Sequence, residues 1–209
     1  MIRHILFDLD CTLYSIHYGL EENVSRRIRE FVALWLGFSP EENERLRMEG
    51  LKRHGTTIEW LMAERGFSAV ADYYAHVHPE DEADSLPPDP ELRDFLESLP
   101  CPCSILTNSP RFHAERIIKK LALEGIFRWI FDIEGNGHRG KPHASAFYRA
   151  LDTIGVKVED ALFIDDLPRC TEGYLALGGR AVLFDERDFY KEYPHERIQN
   201  LRELTKFLA

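Results

Sequence analysis

The feature that most constrains this chain is a short apolar run, His4-Ile5-Leu6-Phe7, that delivers two carboxylates, Asp8 and Asp10, into the turn-forming stretch Leu9-Asp10-Cys11-Thr12. Such a run reads as a buried strand, and open α/β sheets place their chemistry in the loops at the carboxyl ends of strands. Two acids one residue apart repel each other unless a cation sits between them. Magnesium suits the place, because it is hard, takes oxygen ligands and needs only one or two carboxylates plus a substrate phosphate. Taken alone, the pair has a plainer reading as an N-cap that stops the strand.

The pattern recurs. Ala161-Leu162-Phe163-Ile164 runs into Asp165-Asp166, and Ser104-Ile105-Leu106 runs into Thr107-Asn108-Ser109-Pro110. After a Trp129-Ile130-Phe131 strand, a glycine-rich stretch leads to Gly140-Lys141-Pro142. If these strands are parallel, their ends share one edge of a sheet.

The spacing predicts a split α/β chain. Residues 1–14 and 87–209 form a Rossmann-like parallel sheet with helices on both faces, and residues 15–86 form a small all-helical insertion after the first strand. Within the insertion, Val24, Ile28, Phe31, Val32 and Trp35 recur at helical spacing, Ser39-Pro40-Glu41-Glu42 reads as a cap, and Thr57–Arg65 is a helix stopped by Gly66. Leu86-Pro87-Pro88-Asp89-Pro90 is a hinge-like return. Beyond it, helix and strand alternate, ending in a helix over His195–Leu208. Trp35, Trp60 and Trp129 sit where core packing is expected.

At 209 residues and net charge −10, the chain can bury a substantial core and is a poor partner for nucleic acid. No run is long enough to span a membrane. The chain enters a strand at once, so no secretory leader is visible and a cytoplasmic location is expected, as a monomer or weak dimer. Cys101 and Cys103, flanking Pro102, lack the further ligands of a metal site and read as ordinary thiols. Cys11 reads as a small residue that faces the core or backs the site.

Asp8-Leu9-Asp10-Cys11-Thr12 resembles the DxDxT signature of the haloacid dehalogenase superfamily. Thr107-Asn108, Lys141 and Asp165-Asp166 resemble its later motifs in order and spacing. The insertion after Tyr14 is similar to the helical cap of members that carry it behind the first motif. Gly50 to Thr57, Leu61 to Phe67, Val77-His78, Pro88 to Arg93 and Thr107 to Ala114 resemble the pyrimidine 5′-nucleotidase-like branch. One position departs: Cys170 stands where the branch commonly has asparagine, and Arg169 beside it reads as a surface residue.

The resemblance implies a magnesium-dependent phosphomonoester hydrolase. Asp8 is then the nucleophile that forms an aspartyl-phosphate. Asp10 is the general acid and base, with Thr12 holding it by a hydroxyl hydrogen bond. Asp8, the Asp10 carbonyl, Asp165 and Asp166 face the metal, and Lys141, Thr107 and Asn108 bind phosphoryl oxygens. The substrate implied is a small phosphate monoester, a pyrimidine nucleoside 5′-monophosphate first, with a sugar phosphate as the alternative. In the insertion, Lys52, His54, Thr56 and Thr57 are candidates for contacting the leaving group, whereas His76 and His78 read as helix-surface residues or a Pro79-capped end. A metal-free dehalogenase shares the fold, but Asp10 argues for phosphate chemistry. A receiver domain would be shorter and lack the insertion. A silent regulator would have lost one of Asp8, Asp10, Lys141 or Asp165.

Overall fold

The computed structural model describes residues 1–208. Its strands are β1 (His4–Phe7), β2 (Cys103–Leu106), β3 (Ile130–Phe131), β4 (Ala161–Asp165), β5 (Arg180–Phe184) and β6 (Arg197–Ile198). They form one parallel sheet in the order β3-β2-β1-β4-β5-β6. Strand succession reverses between β1 and β4, which is where such sheets open a crevice at their carboxyl edge.

Both faces of the sheet are covered, as a parallel sheet requires. Alternate residues divide between the faces. Ile5, Phe7, Ile105 and Ile164 pack with residues of α5 (Pro90–Glu97) and α6 (Arg111–Lys120). Leu6, Leu106 and Phe163 pack with residues of α7 (Ala144–Ile154) and α8 (Pro168–Leu175). Between β1 and α5 the chain forms α1 (Leu20–Leu36), α2 (Pro40–His54), α3 (Thr57–Arg65) and α4 (Val70–Val77). These helices have their own apolar cluster, centred on Val32, Trp60, Leu61, Phe67 and Tyr73. Gly50 is required where α2 crosses α3, because a Cβ there would lie 2.3 Å from the Trp60 ring.

Three expectations are corrected. The segment after His195 is not an α-helix: β6 adds to β5, and Leu201–Phe207 is a 3-10 helix capped by Asn200 and Glu203. Ile198, Leu201, Leu204 and Phe207 recur every three residues, which is the 3-10 period. Trp35 is not core but 48% exposed, resting edge-on against Phe67. His78 is buried at the end of α4, because its ring nitrogen meets Glu82 at 2.8 Å. Among the described residues, no helix is long and apolar enough to cross a membrane.

Candidate active site

The register of the sheet builds the site. Phe7 pairs with Ile164 and the Asp8 amide donates to Ile164 O, so Asp8 emerges level with Asp165 at the reversal point. Thr107 follows β2 on the next strand over. Lys141 reaches in from the loop before α7. Its Nζ donates to Asp8 Oδ1 and Asp165 Oδ2, each at 2.6 Å, in a buried ion pair.

Burial alone would lower the Lys141 ammonium, but Asp165 and Asp8 outweigh it and hold it well above its usual value. One lysine does not balance the acids around it. Burial pushes Asp8 up to about 8 against the pull of Lys141, with Asp165 and Asp10 adding to the rise. Burial likewise holds Asp166 well above the usual carboxylate range, helped by Asp165 and Asp8. Oxygens of Asp8, Asp165 and Asp166 lie within 4.8 Å of one another. An all-oxygen set with surplus negative charge fits a hard divalent cation such as magnesium.

Asp10 is treated differently. It accepts hydrogen bonds from Tyr14 OH at 2.6 Å, Ser109 Oγ at 2.7 Å and His113 Nε2 at 2.8 Å. Burial would raise its pKa, but His113, Tyr14 and Ser109 overcome that and hold it well below the usual range. Burial also works against the charged His113 ring, which Asp10 and Glu82 nonetheless raise to about 10. Thr12 does not hold Asp10. Cys11 adopts a left-handed conformation (φ 57°), and the Thr12 hydroxyl beyond it is buried without a partner. Cys11 itself is buried and lines the cavity, and burial pushes its thiol far up, as it does that of Cys170.

Asn108 does not turn its amide to the cavity. Oδ1 accepts from Lys141 N at 2.6 Å and Nδ2 donates to Lys141 O at 3.0 Å. Thr107 Oγ1 accepts from Ser109 N at 3.0 Å, which leaves its own proton free to donate.

A cavity of about 320 Å³ opens over these groups. The inserted helices line its far side with Glu21, Ser25, Arg47, Tyr73 and Tyr74. Thr56 and Thr57 reach this wall, but Lys52 and His54 do not. Lys52 is exposed on the last turn of α2, and the His54 ring turns to Glu64 at 2.7 Å. The α2–α3 junction is instead clipped to the core through its backbone. Arg169 donates to Gly55 O at 2.7 Å, and the His143 ring meets His54 O at 2.9 Å. Arg169 is therefore more than a surface residue.

Sequence reasoning assigned no role to Tyr14, Ser109, His113, Glu82 or Glu21. A weak signal existed for two of them: Ser109 and His113 are one helical turn apart directly after the Thr107-Asn108 strand end.

A family model described as "haloacid dehalogenase-like hydrolase" matches residues 2–169. A phosphoglycolate phosphatase of Pseudomonas syringae pv. tomato is 25% identical over 96% of this chain and 77% of its own length. Phosphoglycolate phosphatase 1 of Pseudomonas aeruginosa is 24% identical over 97% of this chain and 78% of its own. The magnesium-bound hydrolase YfnB of Bacillus subtilis superposes with a TM-score of 0.65 at 20% identity, covering 100% of this chain and 99% of that one. The L-2-haloacid dehalogenase of Xanthobacter autotrophicus superposes at 0.63 and 14% identity, covering 100% of both chains. With its family model spanning both acidic motifs and its fold shared with these hydrolases, the chain belongs to the haloacid dehalogenase-like hydrolases.

Proposed function

We propose that the chain is a magnesium-dependent phosphomonoester phosphatase working through an aspartyl-phosphate on Asp8. One observation carries the reading. Asp8 is buried against Lys141 at 2.6 Å, while Asp10, two residues on, is held separately by Tyr14, Ser109 and His113. Two neighbouring acids in contrasting environments suit two jobs. A divalent cation beside Asp165 and Asp166 would offset the acids that raise Asp8 and keep it ionised as the nucleophile, while Asp10, held apart from that cluster, is free to carry a proton.

The phosphoryl group lies against Asp8, its oxygens bound by Lys141, the Thr107 hydroxyl and the backbone amide of Asn108. Binding of the anionic phosphoryl group beside Asp10 raises the proton affinity of that carboxylate, so that it takes a proton from water. An Asp8 oxygen then attacks phosphorus, and Asp10 gives that proton to the departing oxygen. Asp10, now a carboxylate, takes a proton from water as that water attacks phosphorus, and Asp8 is freed. A loose transition state needs mainly this positioning and charge neutralisation. Asp8, Asp165, Asp166 and the Asp10 carbonyl would hold magnesium, which would supply the positive charge that an anionic carboxylate needs to approach an anionic phosphoryl group.

The far wall supports a leaving group of nucleoside size. Tyr73, Tyr74, Val24 and Ile28 offer apolar faces, and Glu21 and Ser25 offer polar edges. Nucleoside 5′-monophosphates, pyrimidine ones first, are the substrates proposed. A second reading, phosphoglycolate, follows the names of the relatives, with Arg47 as the cation for its carboxylate. Steady-state kinetics on UMP, CMP, phosphoglycolate and a sugar phosphate separate them. Higher kcat/KM for UMP or CMP supports the first, phosphoglycolate in the lead supports the second, and no hydrolysis of any ester overturns both.

A further inference from the structure

The two oxygens of Asp10 are not equivalent. Oδ1 accepts from both Tyr14 OH and His113 Nε2, whereas Oδ2 accepts only from Ser109 Oγ. Oδ1 is thus fully engaged, and Oδ2 is the oxygen with a lone pair to offer the cavity. Behind His113 the contacts continue. Its Nδ1 meets Glu82 Oε1 at 2.8 Å, and Glu82 Oε2 meets His78 Nδ1 at 2.8 Å. Arg116 also pairs with Glu82, and the His78 and His113 rings lie 4.4 Å apart. The side chains of His113, Glu82 and His78 are only 1%, 2% and 5% exposed.

Burying so many ionisable groups carries a desolvation cost that pairing only offsets, and apolar residues of similar volume often serve stability as well or better. A fully paired network that ends on Asp10 therefore has a use besides holding α6 in place. It also joins three parts of the chain: His113 on α6, Glu82 on the return segment, and His78 at the end of α4, the last inserted helix.

We propose that His113 is a positioning residue that aims Asp10 Oδ2 at the leaving-group oxygen, and that Glu82 and His78 tie this aim to the end of the inserted helices. The inference rests on the phosphatase reading of Asp8 and Asp10. With the anionic ester bound beside it, Asp10 first takes a proton from water on the free lone pair of Oδ2. As the Asp8–phosphorus bond forms and the phosphorus–oxygen bond to the alcohol breaks, that proton goes to the alcohol oxygen. When water's oxygen then bonds to phosphorus and the Asp8–phosphorus bond breaks, a water proton returns to Oδ2.

The test is leaving-group dependence. The ratio kcat/KM counts only steps through departure of the alcohol. A nucleoside or alkyl leaving group needs the proton, whereas p-nitrophenolate hardly does. In His113→Ala, kcat/KM for the alkyl ester should fall on the order of a hundredfold, the scale of a general acid. For p-nitrophenyl phosphate it should fall less than about tenfold. Glu82→Gln should show the same selectivity to a smaller degree, and His113→Gln, which keeps a donor towards Asp10, should restore part of the lost rate. Thermal melts identify folded variants. If His113→Ala does not fold, His113→Gln and Glu82→Gln carry the same comparison. Equal losses on both esters overturn the positioning role while leaving the phosphatase reading intact. Wild-type protein that hydrolyses neither ester overturns the phosphatase reading, and the inference with it.

Discussion

Asn108 and Lys141 clasp each other through two hydrogen bonds, Lys141 N to Asn108 Oδ1 at 2.6 Å and Asn108 Nδ2 to Lys141 O at 3.0 Å. The amide thereby fixes the backbone from which the buried ammonium reaches Asp8 and Asp165. Gly140 makes room for it, since a Cβ there would lie 2.4 Å from Asn108 Oδ1. Asn108→Ala should lower kcat at least about tenfold and, by leaving buried groups unpaired, cost about 1–3 kcal/mol of stability. Asn108→Asp should be worse, because a second acceptor would face Lys141 O. Steady-state kinetics and urea midpoints check both.

Lys141→Met removes the one ammonium between Asp8 and Asp165. Breaking a buried pair from one side costs about 3–5 kcal/mol. The variant should be inactive and less stable by roughly that amount, as read by chemical denaturation. Lys141→Arg should not rescue it, because the planar guanidinium does not fit a site built for a compact charge.

The acidic motifs were legible because each is an apolar strand run followed at once by chemistry-bearing residues, and parallel strands leave no choice of edge. The support of Asp10 was not. Its donors come from residues 4, 99 and 103 positions away in sequence, and no local pattern announces that His113 and Glu82 will meet. The Lys52 and His54 expectation failed for a similar reason. Which side chains of the last α2 turn face the cavity is set by the close crossing of Gly50 over Trp60 and by Glu64 drawing Arg53 and His54 away. At the carboxyl end, the helix expected over His195–Leu208 is instead β6 and a 3-10 helix, whose apolar residues recur every three positions.

Stability should depend on pH through His4. Burial lowers its pKa to about 4, with Arg128 adding to the fall, and its ring meets Ser104 Oγ at 2.9 Å. As pH falls through about 6.5, the unfolded chain takes up a proton that the folded protein accepts only near about 4. Stability present above pH 6.5 is therefore lost across that window, by up to about 3 kcal/mol. Urea midpoints at a series of pH values should show the decline, and His4→Gln should flatten it. An equal slope in both proteins would rule His4 out.

Chelation should abolish activity and added magnesium restore it, whereas calcium should bind and support turnover poorly, since its looser coordination misplaces the nucleophile. A binding readout is independent of turnover: magnesium should raise the melting temperature of the wild type and do so much less in Asp165→Asn. Full activity in metal-free buffer would point to dehalogenase-type chemistry instead.

Acid quench during turnover followed by peptide mass mapping identifies the nucleophile. A phosphoryl adduct is expected on the peptide carrying Asp8, with Asp8→Asn folded, free of adduct and without turnover. Turnover by Asp8→Asn within about tenfold of wild type, only about 1.4 kcal/mol of barrier, would contradict it, as would an adduct on any other residue.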